Sequence, residues 1–206
     1  MSLAVAEDVE VISISHLLTP SKFKMACFPH FIGSAAAFLG MSELLLPTVE
    51  VLAFQYPHWD GSPAPSHIAR TEALVAGCFE ALADHTDRPL ALFGHRSGAY
   101  LAYRVAQRLE RETGRVPCTL FVSSQSAPQP CRTVPAEPPL SCDVVALMSG
   151  SDPRISPADM GGWALCTGGR FDLEVFPGAR GFLDSDRRQV VNLIHDQLIS
   201  LPGMPD

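Results

Sequence analysis

No stretch of this chain is both long and apolar enough to span a bilayer. Its first twenty residues carry Glu7, Asp8 and Glu10 and lack the basic start and unbroken apolar run of a signal peptide. A cytoplasmic protein is expected, with no membrane partner. The six cysteines (Cys27, Cys78, Cys118, Cys131, Cys142 and Cys166) form no C-x-x-C pair and no Cys/His spacing. That scatter suits reduced thiols better than a disulfide framework or a metal site, and no cofactor is expected. The formal charge is −7 and no Lys/Arg-rich run interrupts it, which argues against binding to nucleic acid or anionic lipid. A small molecule or a protein is the expected partner. Internal repeats and low-complexity tracts are also missing.

What is present is a chain of 206 residues, 47% of them hydrophobic, enough for a core that needs no covalent staple. A single domain over 1–206 is expected, with residues 1–20 as an N-terminal segment. Six apolar runs read as short buried strands: Phe23 to Phe28, Val49 to Tyr56, Pro89 to Phe93, Cys118 to Ser123, Val144 to Met148 and Phe171 to Phe176. Helical periodicity occupies the intervals. Ile68, Val75, Phe79 and Leu82 share one face within Ser66 to Asp84, and Leu101, Ala102, Val105, Ala106 and Leu109 share another within Ala99 to Glu110. Val190, Val191, Ile194, Leu198 and Leu201 mark a C-terminal helix. Ser34 to Leu46, closed by Pro47, and Ser156 to Cys166, with Pro157 in its first turn, read as two more. Strands alternating with helices predict an α/β fold, a mainly parallel sheet with helices on both faces. Gln125 to Cys142 contains five prolines and no periodicity, which predicts an extended crossover over 125–142.

The run Ala91-Leu92-Phe93-Gly94-His95-Arg96-Ser97-Gly98-Ala99-Tyr100 has the layout of a nucleophile elbow, a buried strand that turns sharply between glycines into a helix. Glycine at 94 and 98 lets strand and helix approach closely. The residue at the middle of the turn is Arg96, where the G-x-S-x-G pattern has serine, and Ser97 follows one step later.

The ordered set Cys27-Phe28-Pro29-His30, Gly33-Ser34, Gln55-Tyr56-Pro57, Phe93-Gly94-His95 and Gly98-Ala99 resembles the type II thioesterases of polyketide and nonribosomal-peptide assembly lines. The likeness continues through Leu120-Phe121-Val122-Ser123, Asp152-Pro153, Trp163 and Phe176-Pro177-Gly178, from about Phe23 to Leu201. The resemblance implies an α/β-hydrolase fold and an enzyme that removes acyl groups from phosphopantetheinyl carrier proteins through a Ser-His-Asp triad. Residue by residue, it places Arg96 in the nucleophile's position, Asp152 in the acid's and Arg180 in the histidine's. It also implies an oxyanion hole made by the backbone N–H groups of Phe31 and Ser97. The family's helical lid has no counterpart here beyond the proline-rich 125–142 segment. Its loss exposes apolar surface that a homodimer partner would cover.

A guanidinium stays protonated, so Arg96 is neither nucleophile nor general base. Ordinary serine-hydrolase chemistry is excluded at that position. Ser97 is the alternative nucleophile, although its side chain is expected to point away from the elbow apex. Arg180 is expected to pair with Asp152. Arg96 would need an anion, from Asp60, Asp184 or a bound carboxylate or phosphate of a ligand, to offset a second guanidinium nearby. His58, in Pro57-His58-Trp59-Asp60-Gly61, is a candidate acid/base beside the cleft, while His30 and His95 read as supporting residues. Three functions stay open. One is a non-hydrolytic catalyst that cyclises or isomerises a polyketide or peptide intermediate, free or carrier-bound. The second is a noncatalytic carrier-protein binder, and the third a residual thioester hydrolase acting through Ser97.

Overall fold

The computed structural model describes residues 9–16, 18–31, 33–57, 67–128, 138–178 and 181–201. Seven strands build one sheet: β1 (Glu10–Ile14), β2 (Phe23–Phe28), β3 (Val49–Gln55), β4 (Leu90–His95), β5 (Thr119–Ser123), β6 (Asp143–Ser149) and β7 (Phe171–Phe176). Their order across the sheet is β1-β3-β2-β4-β5-β6-β7. All neighbours run parallel except β1, which lies antiparallel to β3 with Ile12 opposite Ala53. The helices are α1 (Leu39–Leu45), α2 (His67–Ala81), α3 (Ser97–Thr113), α4 (Pro157–Gly161), α5 (Phe182–Ser185) and α6 (Arg187–Ile199).

The central strands are buried on both faces because they alternate apolar residues in both directions. Ala26, Phe28, Leu52 and Leu92 point to one side, where Leu74, Cys78, Leu101, Val105 and Trp163 cover them. Met25, Cys27, Val51 and Phe93 point to the other, against Phe38, Met41, Phe182, Val190 and Ile194. Helices thus cover both faces, as the alternation of strand and helix predicts.

Three local departures have physical reasons. β1 falls in the segment to which the sequence assigns no element. It is an edge strand whose Glu10 and Ser13 break any apolar run and whose Ile12 is 44% exposed. The expected helix over Ser34 to Leu46 starts as a 3-10 turn (Ala35–Phe38) and becomes α-helical at Leu39. Ser156 to Cys166 divides in the same way. A capping box between Ser156 and Asp159 starts α4, which passes into a 3-10 turn over Gly162–Cys166. Of the proline-rich crossover, 125–128 and 138–142 are described. They hold no helix, and Leu140 bridges to Thr167.

Candidate active site at the elbow

Parallel strands place their carboxyl ends along one edge of the sheet, and the loops after β2, β4, β5 and β6 converge there. Arg96 sits at the turn between β4 and α3 with φ 53° and ψ −126°, a conformation that side chains other than glycine's adopt only under strain. The turn is fixed on both sides. Arg96 N–H donates to the Ser123 carbonyl at 2.7 Å, and the Arg96 carbonyl accepts Ala99 N–H at 2.8 Å. A Cβ on Gly94 would lie 2.3 Å from Ala99 Cα, and one on Gly98 would lie 2.1 Å from the Phe28 carbonyl oxygen. Both glycines are therefore required by close backbone approach, which is what an elbow needs.

Around Arg96 opens a cleft of about 330 Å³, lined among others by His30, Ser97, Ser124, Asp152, Arg154 and Asp159. Ser97 does not point away as expected. Its Oγ accepts the backbone N–H of Phe31 at 3.0 Å and lines the cleft. One of the two backbone donors assigned to an oxyanion hole is thus engaged by a side chain of its neighbour in the site. The cause is the tight elbow, which brings the first residue of α3 against the loop after β2.

Asp152 follows β6 and is 6% exposed. Its Oδ1 accepts Arg154 N–H at 3.1 Å and Arg154 Nε at 3.3 Å, and its Oδ2 accepts Arg154 Nη2 at 3.3 Å. Arg154 itself is half exposed at the rim. Arg180, the residue expected to pair with Asp152, lies outside the described residues, as do His58, Trp59 and Asp60. Asp184, proposed as a counter-charge for Arg96, pairs with Arg187 at 2.7 Å on the surface.

The two histidines expected to support the site both have lowered pKa values. Burial, followed by the charges of Arg96 and Arg154, lowers the His30 pKa. Burial, then Arg96 and His30, brings His95 down to about 4 against the weaker pull of Asp184. The His95 ring nitrogen Nδ1 lies 3.0 Å from Ser123 Oγ. Trp163 packs, fully buried, with its indole N–H donating to the Gln125 carbonyl at 2.7 Å and its ring edge-on to Tyr103. Among the described residues no three His, Cys, Asp or Glu side chains gather to hold a metal ion, and no helix is long and apolar enough to cross a membrane.

Arg154 and Ser124 are among the cleft residues, with Gln125, Ser126, Ile155 and Asp159, that escape sequence reasoning. Arg154 stands two positions after Asp152, so an Asp-Pro-Arg turn was the available signal. Ser124 has none: its φ of 53° and its place beside Arg96 are set by the end of β5.

A mainly parallel sheet, helices on both faces and a glycine-flanked elbow after β4 define an α/β-hydrolase fold. Residues 23–150 match the model of the thioesterase domain, and the chain belongs to that family. It is 28% identical over 242 residues to the thioesterase PikA5 of Streptomyces venezuelae, covering 93% of this chain and 86% of the relative. The type II thioesterase BorB from the borrelidin biosynthetic cluster superposes with a TM-score of 0.76 at 26% identity, covering 92% of this chain and 95% of that one. RedJ, a thioesterase from the prodiginine pathway of Streptomyces coelicolor, gives a TM-score of 0.71 at 25% identity, with 86% of each chain covered. The chain is thioesterase-like, of the kind found in polyketide and nonribosomal-peptide secondary metabolism.

Proposed function

We propose that this protein acts on an intermediate of a polyketide or nonribosomal-peptide pathway without forming an acyl-enzyme, as a catalyst of cyclisation or isomerisation. The observation that supports the reading is Arg96 at the apex of an otherwise intact elbow. A permanently protonated guanidinium stands in the strained conformation that the family's pattern gives to a nucleophilic serine. It offers charge to a carbonyl or enolate oxygen and has no lone pair to attack with. Arg180, in the histidine's place, extends the same logic, and His58 is the proposed acid/base. The substrate reaches the protein as a small molecule or on a carrier protein, in the cytoplasm.

The missing lid fits an open cleft. An alignment 242 positions long cannot be filled by a 206-residue chain, so PikA5 carries positions with no counterpart here. A homodimer would cover the apolar surface so exposed.

Engagement of the Phe31 N–H by Ser97 favours a second reading, a noncatalytic protein that binds carrier proteins. The same contact speaks against Ser97 as a nucleophile. An oxygen seated on an oxyanion donor occupies the place that the substrate's own oxygen would need.

The experiment is reconstitution of the pathway step with the wild type and the Arg96→Ala and Arg180→Ala variants. Loss of product in both variants supports catalysis by the arginines. Full product in both overturns it.

A further inference from the structure

Ser97 opens α3 and lines the cleft, and the chemistry above leaves its hydroxyl without a task. Its Oγ accepts the Phe31 N–H at 3.0 Å. A serine hydroxyl has two lone pairs and one proton, so a hydroxyl that accepts still donates once. Among the described residues that proton meets no acceptor, and the cleft is the space open to it. The contact therefore changes two things. The pull of the Phe31 amide is passed on, because a hydroxyl that accepts a hydrogen bond donates a stronger one. A substrate oxygen that takes this donor also stands farther out than one on the amide itself, by one hydrogen-bond length of about 2.7–2.8 Å.

We propose that the Ser97 hydroxyl is a catalytic donor, a relay from the Phe31 N–H to the substrate's carbonyl oxygen as that oxygen takes on enolate charge. Serine side chains serve as oxyanion donors just as backbone amides do. In the step served, the C–H bond next to the carbonyl breaks and its proton goes to the acid/base. Its electron pair moves into the new C=C bond as the C=O pair moves onto oxygen, and Ser97 keeps its own proton throughout. The relay also selects against acyl transfer. A carbonyl held one hydrogen bond beyond the Phe31 amide is displaced from the place where the residue at the elbow apex would attack it, whereas enolisation needs only that the oxygen be held. Two other polar groups of the cleft take no part. Asp152 holds Nε and Nη2 of Arg154 at 3.3 Å, and Ser124 Oγ is buried. The inference rests on the non-hydrolytic reading and deepens it by naming the group that meets the substrate's oxygen.

The test uses 4-nitrophenolate, whose oxygen mimics that of an enolate and whose absorption moves to shorter wavelength when the oxygen accepts a hydrogen bond. Titrated with wild-type protein, it should bind saturably with that shift. Ser97→Ala should weaken binding by at least about tenfold, the loss expected for one charge-assisted hydrogen bond, and the shift should shrink with it. Alanine is a good helix former, and amide resonances that change only around Phe31 and Ser97 show that the variant is folded. The proposal is overturned if 4-nitrophenolate gives no saturable shift with the wild type. It is overturned equally if Ser97→Ala binds the probe unchanged, which makes the hydroxyl a donor to solvent, or binds it more tightly, which makes it a plug on the Phe31 amide. Binding is read without turnover, so each of these outcomes leaves the non-hydrolytic reading to be judged by product formation in Arg96→Ala.

Discussion

Replacing Arg96 with glycine should stabilise the protein relative to Arg96→Ala, even though both variants lose the same guanidinium. At φ 53° and ψ −126° a residue with a Cβ is strained by about 1–3 kcal/mol. Alanine keeps that strain and glycine releases it. Glycine also enlarges the unfolded ensemble, which returns about 0.4–1 kcal/mol. The net advantage of glycine is therefore up to about 2.6 kcal/mol, and for a chain of this size each kcal/mol moves Tm by roughly 2–4 °C. Urea unfolding followed by circular dichroism, with thermal melts of both variants, measures it. A glycine variant no more stable than the alanine variant would refute the claim that strain is stored at the elbow. Strain held beneath a residue that cannot be a nucleophile is informative, because an idle position gains nothing from keeping it.

Gly98→Ala should unfold the elbow, since its Cβ would meet the Phe28 carbonyl oxygen at 2.1 Å and the Pro29 carbonyl oxygen at 2.5 Å. A loss of roughly 3 kcal/mol or more in urea is expected. Gly161→Ala, with nothing within 4 Å of the added Cβ, is the near-neutral control. Asp87 should shape the acid limb of stability, because a hydrogen bond from buried Lys24 is the main cause that holds its carboxyl at about 2 instead of 3.8. A depressed folded pKa gives stability above the ordinary value that is lost as pH falls toward the folded one. Asp87→Asn should thus flatten the limb between 3.8 and about 2, and an unchanged acid melt would contradict this. Burial pushes the Cys118 and Cys142 thiols up to about 12 and raises those of Cys27 and Cys78 as well. Iodoacetamide should therefore label these four only after unfolding, and rapid native labelling of Cys27 by peptide mapping would count against the packing described.

Much of the fold was legible because burial on both faces leaves continuous apolar runs. Phe23–Phe28 and Phe171–Phe176 begin and end where the sequence places them. The edge strand Glu10–Ile14 was not, because pairing on one side tolerates the polar residues that hide it. Gly94 and Gly98 announced the elbow, since close backbone approach restricts residue type and so leaves a mark in sequence. The direction of the Ser97 hydroxyl left no such mark. It depends on the loop after β2 bringing the Phe31 N–H to within 3.0 Å of a residue 66 positions away. Ser124 entered the cleft by the same kind of long-range placement. Pairing between Asp152 and Arg154 is a local exception, a two-residue turn contact that the Asp-Pro-Arg sequence permits.

The proposed function has an arginine at the elbow apex replace acyl-enzyme chemistry with catalysis by charge. Its most direct test follows protein and product in one sample, by intact-protein and small-molecule mass spectrometry, while the wild type turns over its pathway intermediate. Catalysis by charge should give a cyclised or isomerised product, absent with Arg96→Ala, while the protein keeps its unmodified mass throughout. An acyl adduct that forms and decays on Ser97, with the hydrolysed acid as product, would contradict it.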